Sequence, residues 1–142
     1  MAKSATFDND LLKLIFNGTA ISNMADNAAT SPVTNLYVSL HTANPGTASD
    51  QTTSEATYTS YARVAVARTT GGWTVTGGSV SPAAIISFPA ATGGSNTITY
   101  FAVGTASTGA GKILYAGTVT PNIIVSSGVT PQLTTASAIT EA

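Results

Sequence analysis

The 142-residue sequence contains no cysteine, which removes disulfides, thiolate metal sites and cysteine nucleophiles together. Charge is nearly as scarce. Five basic and six acidic residues make up 8% of the chain, against about 25% in an average soluble domain. The net charge of −1 excludes the basic footprint of a nucleic-acid binder. A single histidine limits imidazole chemistry to one position. Apolar runs are short: near the N-terminus the longest is Leu14-Ile15-Phe16, far below the roughly 18 residues of a membrane-spanning helix. Asp8 and Asp10 precede that run, the wrong start for a signal peptide, so neither an export segment nor a membrane partner is expected. In place of charge stand 15 serines, 25 threonines and 13 glycines. At 43% hydrophobic content the chain is too apolar for charge-driven disorder. A domain of this length buries roughly two-thirds of its unfolded surface and needs no staples.

Sparse charge has a consequence for the surface. A free monomer relies on net charge and interspersed ions for solubility. Here the outside must be mostly hydroxyl, amide and backbone, which suits a protein held among neighbours in an assembly.

The first 35 residues read differently from the rest. Asp8 can cap a short helix, and Phe7, Leu11, Leu14 and Ile15 follow at i, i+4, i+7 and i+8 on one face. Leu12 and Phe16 widen the stripe, and Gly18 stands where a left-handed stop is expected. Residues 17–35 are polar and turn-rich. We read 1–35 as a helical arm and tether. Its apolar residues Phe7, Leu11, Leu12, Leu14, Ile15 and Phe16 are candidates for contact with a partner's groove, or for capping the chain's own β domain.

From Leu36 onward the signal is β. Residues 36–42 alternate, with Leu36, Val38 and Leu40 on one face and Tyr37, Ser39 and His41 on the other. Asn44-Pro45-Gly46 closes that strand, and a polar loop over 47–58 carries Asp50 and Glu55. Further strands are expected at 61–68 (Arg63 outward), 73–76, 84–88 between Pro82 and Pro89, 97–103, 112–119, 122–125 and 129–135. About eight short strands between Gly, Pro and Asn signals predict an all-β, jelly-roll-like sandwich of two sheets over residues 36–142. An immunoglobulin-like sandwich is the alternative.

Catalytic motifs are missing. Ser39, His41 and Asp50 could be drawn as a triad, but no nucleophile elbow surrounds any serine, and His41 reads as a half-exposed strand residue bonded to a loop. Asp50 and Glu55 read as solvated, with no apolar pocket to raise a pKa for glycoside hydrolysis. One histidine with scattered acids supplies no zinc set, and Asp8-Asn9-Asp10 is followed by no calcium loop. The segment Gly104–Ile113 looks like a phosphate loop, but alanine stands at 106 and isoleucine at 113 where that pattern needs glycine and a hydroxyl residue. It reads as a hairpin loop. Tyr37, Tyr58, Tyr61, Trp73, Tyr100 and Tyr115 could form a sugar-stacking platform, but suit core and interface packing better. No enzyme activity, cofactor or metal is expected.

Taken in order, LYVSLHTANPG (36–46), YARVAVAR (61–68), WTVT (73–76), ISFPAAT (86–92), ITYFAVG (98–104), ILYAGTV (113–119) and SGVTPQL (127–133) resemble a family of small tailed-bacteriophage virion proteins described as tail-fibre-like. They are similar also to the jelly-roll cement, or decoration, proteins that clamp phage capsids. The resemblance spans roughly 36–135 and implies a virion structural role with no catalytic residues to transfer. Of the two, cement fits a single small domain with sparse charge and an apolar arm. The expected partners are then the major capsid protein and a second copy of the chain at two-fold positions, on the capsid exterior. A receptor- or carbohydrate-binding tail-fibre module is the alternative, and it predicts exposed tyrosines around a cleft.

Overall fold

The computed structural model describes residues 5–21, 32–46 and 50–140. The chain is all-β in class, 43% strand, with one short helix, α1 (Ala5–Leu12), that runs into a π-helical turn (Lys13–Asn17). The strands are β1 (Asn35–His41), β2 (Val64–Ala67), β3 (Trp73–Thr76), β4 (Ser79–Pro82), β5 (Ile86–Ser87), β6 (Asn96–Gly104), β7 (Ile113–Val125), β8 (Gln132–Leu133) and β9 (Ile139–Thr140). They form sheets ordered β2-β1-β6-β7, β3-β4-β9 and β5-β8. The expected class, all-β behind a short N-terminal helix, is the one adopted. Among the described residues the strands fall in three sheets, where two were expected.

Two boundary differences have physical causes. Pro82, expected to precede a strand, instead ends β4 opposite Trp73. β9 reaches only Ser79 and Val80 of β4, so the missing proline N–H breaks no ladder bond on that side. The two expected strands at 112–119 and 122–125 are one strand, β7. Between Ile98/Ile123 and Tyr100/Thr118 the register shifts, so residues 119–122 bulge out against Thr99 alone.

The chain divides into two compact units. The first takes the described residues before Leu36, together with Val66–Ile85 and those after Leu133. The helix starts at Ala5, so Asp8 is not its cap but lies in its first turn, where a carboxylate still suits the positive helix end. Gly18 ends the helical segment as expected, at φ 65° with its N–H donated to Lys13 O. Leu12 and Phe16 are the inward pair, both at 0% exposure. At i and i+4 they share a face, and the Phe16 ring meets Trp73 edge-on at 4.8 Å. Polar bonds fix the helix to the β3–β4 hairpin. Gly78 N donates to Asn9 Oδ1 at 2.7 Å, and Asn17 Nδ2 to Trp73 O at 3.0 Å.

Arg68 completes this unit. Its guanidinium donates to Ile15 O, to Leu14 O and to Val33 O. Carbonyls at a helix's end have no partner within the helix, and a cation there meets both the orphan acceptors and the dipole. Gly77 and Gly78, at φ 61° and 73°, make the two-residue turn of the hairpin, where positive φ at both positions matches the strand twist.

The second unit comprises Leu36–Ala65 and Ile86–Leu133. β1 pairs with β6 in the register Tyr37↔Gly104 to His41↔Tyr100. Leu36, Val38 and Leu40 are buried as expected, but Ser39 and His41 are buried as well. The reason is that residues 50–56 are not an open loop. Thr42 N donates to Ser54 O and Ala56 N to Leu40 O, both at 2.8 Å, and His41 bridges Glu55. This strap covers the face of β1 expected to meet solvent.

Because Phe16 fills the space between its helix and Trp73, Phe16→Ala should lower unfolding stability by about 3–5 kcal/mol. A shift of the urea midpoint at unchanged slope checks this.

Candidate functional site

The polar face of β1 builds the most connected cluster of the second unit. Histidine Nδ1 of His41 lies 2.8 Å from Thr53 O. A carbonyl only accepts, so Nδ1 carries the proton. Nε2 is then the acceptor for Ser39 Oγ, 2.9 Å away. Gln51 extends the chain of bonds: its Nε2 donates to Tyr37 O at 3.1 Å and to Ser39 Oγ at 3.4 Å, while its Oε1 accepts from Ala106 N. Gln51 is fully buried and fits only because two neighbours are glycines. A Cβ on Gly104 would lie 2.2 Å from Gln51 Cδ, and one on Gly111 2.2 Å from its Oε1.

Beside this seam sits an ion pair. Arg63 Nε and one terminal nitrogen donate to the two oxygens of Glu55 at 2.7 and 2.8 Å, the two-point geometry that makes such pairs strong. The side chains are 3% and 17% exposed. Hydrogen bonding to Glu55 raises the Arg63 pKa further. Tyr61 OH donates to Glu55 Oε1 and accepts from Leu40 N, and burial pushes its pKa up. Arg63 also donates to Ala106 O at 2.9 Å and Gly109 O at 2.8 Å. It thereby fixes the β6–β7 loop, whose tip, residues 107–110, is exposed. Arg63 was expected to point outward and Glu55 to be solvated. Both expectations fail because the pair is paired, braced and largely covered.

What this cluster can do chemically is limited. Ser39 and His41 are brought together, but both are at 0% exposure, and the imidazole was expected half-exposed. Thr53 O, not a carboxylate, holds its Nδ1. Both ring nitrogens are engaged, and burial holds the ring's pKa below its ordinary 6.5. A substrate could reach Ser39 Oγ only by lifting the strap. Asp50 turns back on Thr52 instead, whose hydroxyl and amide lower its pKa. Among the described residues no group of three or more His, Asp or Glu could hold a metal ion, and no helix is long and apolar enough to cross a membrane.

The aromatic platform is likewise not assembled. Tyr58 and Trp73 are buried, and Tyr37, Tyr61, Tyr100 and Tyr115 are half-buried. Tyr61 instead stacks on Phe88 and meets Tyr58 edge-on.

Of the six apolar residues singled out near the N-terminus, Leu12 and Phe16 lie in the first unit's own core. Phe7 is 38% exposed, and Leu11, Leu14 and Ile15 are half-buried. The remaining accessible stripe is narrower than the sequence suggested. Sequence reasoning missed Gln51, Arg63 and Arg68 as organising residues. For Arg63 and Arg68 the only local signal was a charge at either end of an apolar strand; Gln51, inside a polar segment, gave none.

The family model described as podophage GP4 fiber I protein gp80 matches residues 2–140. The chain belongs to this family. No curated protein matches the sequence. As a member of the gp80 family it is a phage virion structural protein related to tail-fibre-like proteins, and the family is generally non-enzymatic. The match reaches the N-terminal segment, which the sequence resemblance left out.

Two outcomes test the cluster. Glu55→Gln leaves Arg63 buried without its counter-charge and should destabilise the fold by about 3–5 kcal/mol, read by chemical denaturation. The second concerns pH. His41 takes up a proton near 6.5 when unfolded but only at lower pH when folded, so the unfolded state binds more protons in that interval. Stability should therefore fall as pH drops below about 6.5 and level off once the folded ring titrates. Denaturation midpoints measured at successive pH values check the slope.

Proposed function

We propose that this chain is a non-catalytic structural subunit of the fibre apparatus of a podophage virion. The observation that carries the reading is the family match over residues 2–140, to a family whose description is that of a fibre protein. The closed Ser39–His41 pair supports adhesion over turnover. Sparse charge favours a molecule held among neighbours, and both a fibre and a capsid shell provide them.

Phe7, Leu11, Leu14 and Ile15 are the residues we propose for contact with a virion neighbour. Phe7 is 38% exposed, and Leu11, Leu14 and Ile15 keep part of their surface open. A capsid cement that bridges major capsid protein subunits, with a second copy at two-fold positions, is the second reading. Composition favours it, since clamping a shell needs many small neutral contacts.

Copy number separates the readings. Quantitative densitometry of purified virions should give a few tens of copies or fewer for a fibre subunit. Hundreds of copies would overturn the fibre reading in favour of cement.

A further inference from the structure

The chain holds one asparagine followed by glycine, Asn17-Gly18. Such a pair is chemically reactive, because glycine has no Cβ to keep its backbone nitrogen away from the neighbouring carboxamide. It stands at the end of the helical segment, with Asn17 half-buried and Gly18, Thr19 and Ala20 exposed. Asn17 is also a structural pin. Its Nδ2 donates to Trp73 O at 3.0 Å, and the Phe16 ring beside it meets the Trp73 ring edge-on.

In the closed structure both reacting groups are committed elsewhere. The Gly18 N–H donates to Lys13 O, as does Thr19 N at 3.1 Å. The carboxamide of Asn17 is held on β3. Arg68 clamps the same turn through the carbonyls of Leu14 and Ile15. Reaction therefore waits on opening of this last turn. Local openings of this kind cost less than global unfolding and are easiest at the ends of elements.

We infer that Asn17 is a site of spontaneous deamidation gated by the last helical turn, and that its modification makes release of that turn from the β3–β4 hairpin irreversible. When the turn opens, the Gly18 nitrogen bonds to Asn17 Cγ and the Cγ–Nδ2 bond breaks. The Gly18 amide proton leaves with Nδ2 as ammonia. The cyclic imide then takes up one water across either of its ring C–N bonds, giving aspartate or isoaspartate at position 17. Nothing is oxidised or reduced. Neither product has the Nδ2 donor, and a carboxylate against Trp73 O sets acceptor against acceptor. Isoaspartate also adds a backbone atom, which moves the Gly18 and Thr19 amides out of reach of Lys13 O. A negative charge at a helix C-terminus disfavours closure further. The same segment carries Phe7, Leu11, Leu14 and Ile15, so its release alters the surface proposed for a virion neighbour. That consequence rests on the contact reading, whereas the modification itself does not.

The experiment incubates the full chain at mildly alkaline pH, native and in concentrated urea. Peptide mass mapping follows position 17, with fragmentation that distinguishes isoaspartate. Conversion in the native chain should run about ten- to a hundredfold slower than in urea, the ratio reading how often the turn opens. Arg68→Ala should speed native conversion about tenfold, while hydrogen-exchange protection across β4 and β6 stays as in the parent chain. Arg68→Lys keeps the charge without the fork; it should speed conversion less, and it decides the matter if Arg68→Ala loses β4 protection. The modified chain, separated by ion exchange through its added negative charge, should show altered emission from Trp73, the single tryptophan, and faster exchange of the amides at 14–17. Equal rates with and without urea overturn the inference, as does native conversion below the hundredfold limit. So do an unchanged rate in both Arg68 variants, or a modified chain with unaltered Trp73 emission and exchange. Loss of the virion contact reading leaves all of these results standing.

Discussion

A strand buried on both faces must satisfy its polar side chains from within the protein. β1 carries Ser39 and His41 on the face opposite Leu36, Val38 and Leu40, and all five are buried. Leaving a polar group unpaired there would cost about 1–3 kcal/mol each. The second unit answers with the 50–56 strap, which brings Thr53 O to the imidazole and Gln51 to Ser39. The rest of its irregular structure follows from that choice. Gln51 needs room, so Gly104 and Gly111 flank it. The strap must be held down, so Glu55 meets Arg63, and Arg63 in turn ties in the 105–111 loop.

This explains which parts of the fold were legible in the sequence. Alternation in 36–42, the paired glycines at 77–78 and the Gly18 stop are local signals, and the structure carries each of them. The burial of His41 was not legible, because alternation reports which residues share a face and not what covers that face. The cover comes from a polar segment 12 residues downstream of His41 along the bond to Thr53, with no period of its own. Arg63 was misread for a related reason. An arginine beside an apolar strand is normally a solvated residue, and only the carboxylate of Glu55 and two loop carbonyls make its burial tolerable.

The helical segment shows the same limit. Six apolar residues in ten positions exceed what one packing face uses, so the pattern alone could not say which would turn inward. The hairpin decides it. Trp73 selects Phe16, Asn9 and Asn17 set the helix's rotation through Gly78 and Trp73, and Arg68 fixes its end. Phe7 is left partly open by this choice. A helix held so firmly at three points presents that stripe as a fixed surface, which favours a partner of matching shape over a groove that would have to fold the helix on contact.

The placement of charge ties these elements to an assembly role. Composition already makes ions scarce, and the fold turns several of the few inward or onto its own backbone. Arg63 and Glu55 neutralise each other in a largely covered pair, Arg68 is given to helix and loop carbonyls, and Asp50 to a local turn. Lys13 and Lys112 are the basic residues left exposed among those described. Among the described residues the surface is thus more neutral than the 8% of charged residues in the chain would suggest. Contacts made through such a surface carry little Coulomb energy, so salt screening has little to act on. Their strength must come from shape, apolar contact and hydroxyl hydrogen bonds, each small, which is adequate where a protein is fixed among repeated neighbours and inadequate where a lone molecule must capture a charged partner at low concentration. The interior ion pair and the uncharged exterior are therefore parts of one design: charge is used to brace the fold, and adhesion is left to neutral groups.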